Sequence, residues 1–140
     1  MILALVDTNV VVSGVLAGVG ESPNRRILDA MVAGTLRFVL SEALLVEYRQ
    51  VLLRPAIAQR HRLTAVEVDV LLEALVVNAS IREPLLVHEG DPQIAGDEHL
   101  VALLRAVPEA VLITGDHQLA QAVGPRYTVA TPAMFASTIG

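Results

Sequence analysis

With 140 residues, more than half of them apolar, the chain is long enough to bury a core, and its size predicts one domain over residues 1–140. It has no cysteine, which excludes disulfides and thiolate metal sites, and no apolar run approaches the roughly 18 residues that cross a bilayer, so we expect a cytoplasmic protein. The net charge of -5 argues against a broadly basic surface for nucleic acid, although every cationic side chain is an arginine, which suits phosphate contacts.

Apolar runs, prolines and capping residues predict alternating strands and helices in the first half of the chain. Ser22 and Pro23 are typical of a helix start, and Gly34 of a helix end. Thr64 and Glu67 form a capping box ahead of a long apolar segment. In chain order we expect a strand over 2–6, a short helix within 9–17, a helix over 22–34, a strand over 35–40, a helix from 41 to about 53 that Pro55 closes, and a third long helix over 64–79.

The second half continues the alternation after residues 83–96, which show little regular pattern. A connection of that length in a compact domain tends to be functional or mobile. Strands that alternate with helices predict a three-layer α/β/α domain around a mostly parallel sheet. The remaining predicted elements are a helix within 97–106, a strand over 110–114, a short helix over 117–122, a strand over 127–131 and a last short helix that opens at Pro132.

Four acidic residues occupy positions from which they can share one edge of that sheet. Asp7 ends the first strand, and Asp116 follows the strand over 110–114. In an open parallel sheet, ligands bind beyond the carboxyl ends of the strands. Asp97 leads the apolar face of its helix, and Glu47 lies at the border of the core-facing side of the helix over 41–53. We therefore expect these carboxylates to converge.

Carboxylates brought together repel each other, and their pKa values rise unless a cation joins them. Mg²⁺ and Mn²⁺ are hard divalent ions that prefer such oxygen ligands. Ions of this kind activate a water molecule and stabilise charge on a phosphodiester undergoing in-line displacement. The four acids are thus a candidate metal site for phosphodiester hydrolysis.

A simpler interpretation exists for each of these residues. Aspartate is a favoured N-cap, and Asp7, Asp97 and Asp116 each stand directly before a predicted helix. A lone helical glutamate is more often solvated than functional. His99 and His117 could also be metal ligands, but surface histidines near a helix start are commoner. Residue types and spacing alone leave both interpretations open.

Several motifs together resemble the PIN-domain family, and within it the VapC-like toxins of bacterial toxin–antitoxin pairs. These are VDTNVVVSGVL, LSEALLVEYRQVLLRP, GDEHLVALL, VLITGDHQLA and the late TVATPAMFAS. The segments DTN and TGD are weak signals separately. The combination is fairly specific when both occur in this order, with an acidic helix residue between them and a GDxHL segment before TGD. The resemblance spans nearly the whole chain.

The resemblance implies an endoribonuclease that depends on Mg²⁺ or Mn²⁺ and acts on RNA. It also implies a homodimer and an antitoxin protein as partner, for which the helices at 22–33 and 41–53 are candidate contact sites. The metal would be held by Asp7, Asp97 and Asp116, while Glu47 would orient or deprotonate the attacking water, or bind a second ion. Asn9 and Thr114 match the polar residues that orient ligands or water near the site.

The chain departs from the family pattern at two places. Many relatives carry a further aspartate shortly after TGD, where this chain has His117 and Gln118, and this puts a second tightly bound metal in doubt. Relatives also often show a run of acids after DP, whereas Asp91 and Pro92 are followed by Gln93-Ile94-Ala95. Asp91 is therefore given no role.

Other functions compete with this interpretation. Phosphoryl transfer of the haloacid-dehalogenase type needs a second aspartate where Asn9 stands, and a receiver domain needs a lysine that the chain lacks. A housekeeping RNA-processing nuclease of the same fold is harder to separate from a toxin. A non-catalytic interaction domain with this fold is the rival from another class, and broken acidic positions would mark it.

Overall fold

The computed structural model describes residues 2–18, 20, 22–85 and 94–139, over which the chain forms five strands and eight helices. The strands are β1 (Leu3–Val6), β2 (Arg37–Leu40), β3 (Ala79–Ile81), β4 (Val111–Ile113) and β5 (Thr128–Ala130). The helices are α1 (Thr8–Ala17), α2 (Pro23–Ala33), α3 (Glu42–Leu52), α4 (Pro55–His61), α5 (Ala65–Asn78), α6 (Glu98–Ala106), α7 (His117–Val123) and α8 (Pro132–Ala136).

The strands form one sheet in the order β3-β2-β1-β4-β5, and every strand pairing in it is parallel. The register aligns Val6 of β1 with Ile113 of β4, so the carboxyl ends of these two central strands meet at the same level. The predicted three-layer α/β/α fold around a parallel sheet is confirmed. This topology places the residues that follow β1 and β4 side by side.

The central strands are buried on both faces. Ala4, Leu5 and Val6 of β1 have no exposed surface, and Leu112 and Ile113 of β4 are equally buried. The absence of polar alternation in these strands reflects that double coverage by helices. The core is thus built around the two strands whose ends carry Asp7 and Asp116.

Local capping signals set several helix ends where the sequence predicts them. The Arg25 N–H donates to the Ser22 hydroxyl at 3.2 Å, and Ser41 accepts in the same way at the start of α3. Thr64 and Glu67 exchange both bonds of a capping box. Gly34 ends α2 with a φ of 77°, a left-handed conformation that glycine adopts without strain.

Two elements differ from the sequence-based prediction. The helix predicted from 41 to about 53 does end before Pro55, at Leu52, but Pro55 also begins α4, a helix that was not predicted. Proline is tolerated in the first helical turn, because its missing N–H has no partner to lose there. The long helix predicted over 64–79 ends at Asn78, and Ala79 is already extended as the first residue of β3. No glycine or proline separates α5 from β3, so the sequence carries no local stop signal there.

The connection predicted over residues 83–96 lies largely outside the described residues, and so does Asp91. In the part of the chain that the structure describes, no helix is both long and apolar enough to cross a membrane.

Candidate active site

Asp7 and Thr114 meet where β1 and β4 end. The Asp7 N–H donates to the Ile113 carbonyl at 3.0 Å, which extends the strand pairing by one step beyond Val6. The Thr114 hydroxyl then donates to Asp7 Oδ2 at 2.7 Å and accepts the Asp116 N–H at 3.0 Å. One hydroxyl therefore joins a carboxylate that follows β1 to the backbone of the aspartate that follows β4.

Asp7 is a buried carboxylate, only 6% exposed. Burial raises its pKa, because the charged form loses water, while the hydrogen bonds from the Thr114 hydroxyl and the Thr8 backbone oppose that rise. The negative charges of Glu47 and Asp116 raise the pKa further. Asp7 precedes α1, but its side chain makes no capping hydrogen bond. The capping interpretation therefore does not account for its burial.

Asp97 stands directly before α6 and also makes no capping hydrogen bond with its side chain. Its pKa is raised from 3.8 to about 6, and partial burial is the largest cause. The charges of Asp7, Asp116 and Glu47 add to that rise in this order, and His99 opposes it. Asp97 therefore lies within electrostatic reach of all three other acids predicted for the site.

Tyr48 ties α3 to the carboxyl end of β1. Its side chain is fully buried, and its hydroxyl donates to the Val6 carbonyl, next to Asp7. Burial raises the pKa of Tyr48 well above its ordinary value, and the charges of Asp7 and Glu47 add to this, so the hydroxyl remains a donor at neutral pH. The sequence alone does not reveal this contact, because hydrophobic periodicity reports burial and not the hydrogen-bond partner of a tyrosine hydroxyl.

Glu47 precedes Tyr48 on α3 and is half-buried at the same end of the sheet. Its Oε2 lies 2.7 Å from Nε2 of His99, which belongs to the first turn of α6. The sequence could not show this contact, since the two residues lie far apart along the chain. It did mark both residues as candidates.

Asp116 is exposed and does cap its helix, as the simpler interpretation predicts. The backbone N–H groups of Gln118 and Leu119 donate to Asp116 Oδ1 at 3.0 and 3.1 Å. Both bonds end on one oxygen, so the capping role occupies Oδ1 and does not involve Oδ2. Capping and metal binding are therefore compatible in this residue.

The four predicted acids are brought to one edge of the sheet, where the charges of Glu47 and Asp116 raise the pKa values of both Asp7 and Asp97. Asn9 lies nearby in the first turn of α1, where it is exposed. Among the described residues, no three aspartate, glutamate or histidine side chains form a group that could hold a metal ion as they stand. The structure thus shows a coupled acidic cluster and not a closed coordination cage.

The chemistry of this cluster fits a hard divalent cation. Its donors are carboxylate oxygens, the ligand type that Mg²⁺ and Mn²⁺ prefer. The pKa values of Asp7 and Asp97 are raised first by burial and then by the charges of neighbouring acids, and a bound cation would offset both effects. The buried Thr8 hydroxyl, beside Asp7, has no hydrogen-bond partner among the described residues, so a polar group remains unsatisfied there.

Comparison with known proteins adds a finding that is independent of this geometry. The sequence model of the family described as PIN domain matches residues 4–118, which is most of the chain and includes all four acids. No curated protein matches the chain significantly.

Proposed function

Because the chain belongs to the PIN-domain family, whose members are generally metal-dependent nucleases, we propose that it is an endoribonuclease that uses Mg²⁺ or Mn²⁺ to hydrolyse RNA phosphodiesters. The observation that carries this proposal is the convergence of four carboxylates at one edge of the sheet, where the charges of Glu47 and Asp116 raise the pKa values of both Asp7 and Asp97. Holding such groups together in a partly buried position is unfavourable unless a cation binds them.

Three of the four carboxylates would hold the ion: Asp7, Asp97 and Asp116. When bound, the ion supplies an activated water and stabilises the charge that develops on the phosphodiester. The Thr114 hydroxyl fixes the orientation of the Asp7 carboxylate through Oδ2. The backbone amides of α7 hold Asp116 by Oδ1. The protein thus orients two of the three carboxylates before any ion binds.

Glu47 has a different environment, which supports a different role. It is carried by a helix, and α3 is anchored beside Asp7 by the Tyr48 hydroxyl. Its carboxylate can orient the attacking water or accept a proton from it, as general base catalysis requires. Binding a second ion that arrives with the substrate is the alternative role for Glu47.

We further propose that the nuclease is the toxin of a toxin–antitoxin pair, that it forms a homodimer, and that it acts in the cytoplasm. Two arginines of α2 and α3, the helices proposed to contact the antitoxin, pair with acids of the same chain. Arg25 pairs with Asp29 within α2, and Arg49 pairs with Asp69 of α5. An acidic segment of a partner would have to compete with these exposed pairs, which individually stabilise little.

Genomic context tests the toxin proposal at little effort. A toxin should have a small antitoxin gene directly beside its own, and co-expression of that gene should relieve growth inhibition. A housekeeping RNA-processing nuclease would lack that neighbour and would not inhibit growth. A non-catalytic interaction domain would neither cleave RNA nor bind the ion.

The central experiment is cleavage of a mixed pool of single-stranded and hairpin RNA with Mg²⁺, with Mn²⁺ and with EDTA. Asp7→Asn should fold and lose most cleavage, because the amide removes the charge that balances the ion. Asp29→Asn is the matched control, since Asp29 is an exposed residue on α2 paired only with Arg25 in the described contacts. If Asp7→Asn cleaves RNA at the wild-type rate, the metal assignment is wrong.

A further inference from the structure

The contact between His99 and Glu47 joins α6 to α3 at the acidic cluster. Nε2 of His99 lies 2.7 Å from Oε2 of Glu47, and the two side chains are 26% and 32% exposed. Both side chains are partly shielded from water, which favours a hydrogen bond between them. Both also lie close to residues proposed to bind the ion. The sequence marks His99 only as a possible metal ligand, and the family match assigns it no role.

The chemistry of the pair determines which atom donates. A carboxylate in contact with a donor can only accept, so Nε2 of His99 carries the hydrogen. Nδ1, the other ring nitrogen, is buried and has no hydrogen-bond partner among the described residues. Within the described part of the chain, the contact with Glu47 is therefore the polar contact that orients the imidazole.

Packing alone gives a weak reason for a histidine at this position. A phenyl ring has a similar shape and would not bury an unpaired nitrogen, which is unfavourable in itself. His99 also precedes Leu100, whose burial already anchors α6 to the core. The polar contact with Glu47 is thus the feature that distinguishes histidine from an apolar ring.

We propose that His99 is a positioning residue that holds Glu47 in one orientation for the reaction. This inference rests on the proposed nuclease function. With Oε2 held by His99, Glu47 presents Oε1 to the attacking water. Glu47 then acts through a single oxygen, as a group that orients or deprotonates water, and not as a bidentate ligand of the ion.

Two substitutions separate this role from a structural one. His99→Phe keeps the ring and removes Nε2, so Glu47 regains rotational freedom. His99→Gln places an amide N–H near the position of Nε2 and can restore the bond. His117→Phe is the matched control, because His117 is exposed and lies one residue after Asp116 in α7.

In a wild-type protein that cleaves RNA, His99→Phe should lower kcat about 10- to 100-fold, the range typical of residues that orient metal-site groups. The variant should keep KM and the Mn²⁺ dissociation constant within about twofold of the wild-type values. The urea midpoint of its metal-free form should equal that of wild type within error. His99→Gln should recover most of kcat, and His117→Phe should match wild type.

Imidazole ¹H–¹⁵N spectra of the metal-free protein provide a readout that does not depend on activity. The Nε2–H signal of His99 should be protected from exchange in wild type and lose that protection in Glu47→Ala. Full activity of His99→Phe would overturn the inference and leave the proposed function intact. Loss of Mn²⁺ binding in both His99 variants would overturn it as well, because it would make His99 a ligand. Absence of cleavage by the wild-type protein would overturn the proposed function and the role of His99 with it.

Discussion

Replacing Thr114 by valine tests the link between the ends of β1 and β4 directly. Valine has nearly the same shape as threonine but cannot donate to Asp7 Oδ2 or accept the Asp116 N–H. Thr114 is 2% exposed and Asp7 is 6% exposed, so water cannot easily replace the lost donor. Asp116 is exposed, and its N–H can turn to solvent. The change therefore acts mainly on the Asp7 carboxylate.

A hydrogen bond to a charged group contributes about 1.5–3 kcal/mol, and we expect a loss of about 2–3 kcal/mol in the free energy of unfolding at neutral pH. The Thr114 bond lowers the pKa of Asp7, so the valine variant should have a higher Asp7 pKa. A carboxyl whose pKa is raised in the folded state destabilises the protein as pH rises through that pKa. When the pH is below the Asp7 pKa of the folded state and that of the unfolded state, Asp7 is protonated in both states. The share of the stability loss that comes from its ionisation then disappears.

Urea unfolding of the metal-free protein at pH 7.5 and at acidic pH measures the total loss of stability and the share of it that depends on ionised Asp7. Thr114→Ser is the control, because it keeps the hydroxyl and removes only a methyl group, which is about 1 kcal/mol or less of burial. Valine should lose more stability than serine, and the difference should shrink at acidic pH. The reasoning is refuted if serine and valine are equally destabilised, or if the valine loss is the same at both pH values.

Four further predictions concern Asp97, Asp116 and Tyr48. Asp97 has a pKa raised from 3.8 to about 6, so the folded metal-free protein binds more protons than the unfolded chain between these values, and its stability should fall as pH rises through that window. Asp97→Asn should remove this fall in stability. At pH 7 it should be more stable than wild type by on the order of 1 kcal/mol, a figure that allows for solvent screening of a half-exposed group. A lower urea midpoint than that of wild type would contradict this prediction. For the same reason calorimetric titration should show Mn²⁺ binding that weakens below pH 6 in wild type, and affinity that stays constant down to pH 5 would count against Asp97 as a ligand. Asp116→Asn should keep the helix cap and lose Mn²⁺ affinity, whereas Asp116→Ala should lose both affinity and about 1 kcal/mol of stability; equal urea midpoints for the two variants would show that the cap contributes nothing. Tyr48→Phe should cost about 1–3 kcal/mol, because the Val6 carbonyl loses its buried donor, and chemical unfolding that matches wild type would show that water replaces the hydroxyl.

Much of the fold follows from local signals. The caps at Ser22, Ser41 and Thr64 act within three residues of the helix starts they control, so the sequence displays them directly. The apolar run before Asp7 reports a strand covered on both faces, and the structure agrees. In contrast, β3 was missed because its extended conformation depends on pairing with β2 and not on its own three residues.

The sequence by itself determined which residues could form the site. Aspartates at strand ends and a glutamate on a core-facing helix are visible from residue type and spacing, and so is the likeness to the PIN-domain family. It could not distinguish a helix cap from a buried carboxylate, since both put an aspartate before a helix. The structure separates them, because Asp116 caps with one oxygen while the side chains of Asp7 and Asp97 make no such bond.

Only the tertiary structure decided how these residues act on one another. The Thr114–Asp7 bond spans 107 positions, and the His99–Glu47 contact joins two helices that no local pattern relates. The first depends on the strand order that places β1 beside β4, and the second involves α3, which the Tyr48 hydroxyl fixes against β1. The pKa values of Asp7 and Asp97 are raised for the same reason, since burial and mutual repulsion exist only once the folded chain brings the carboxylates together.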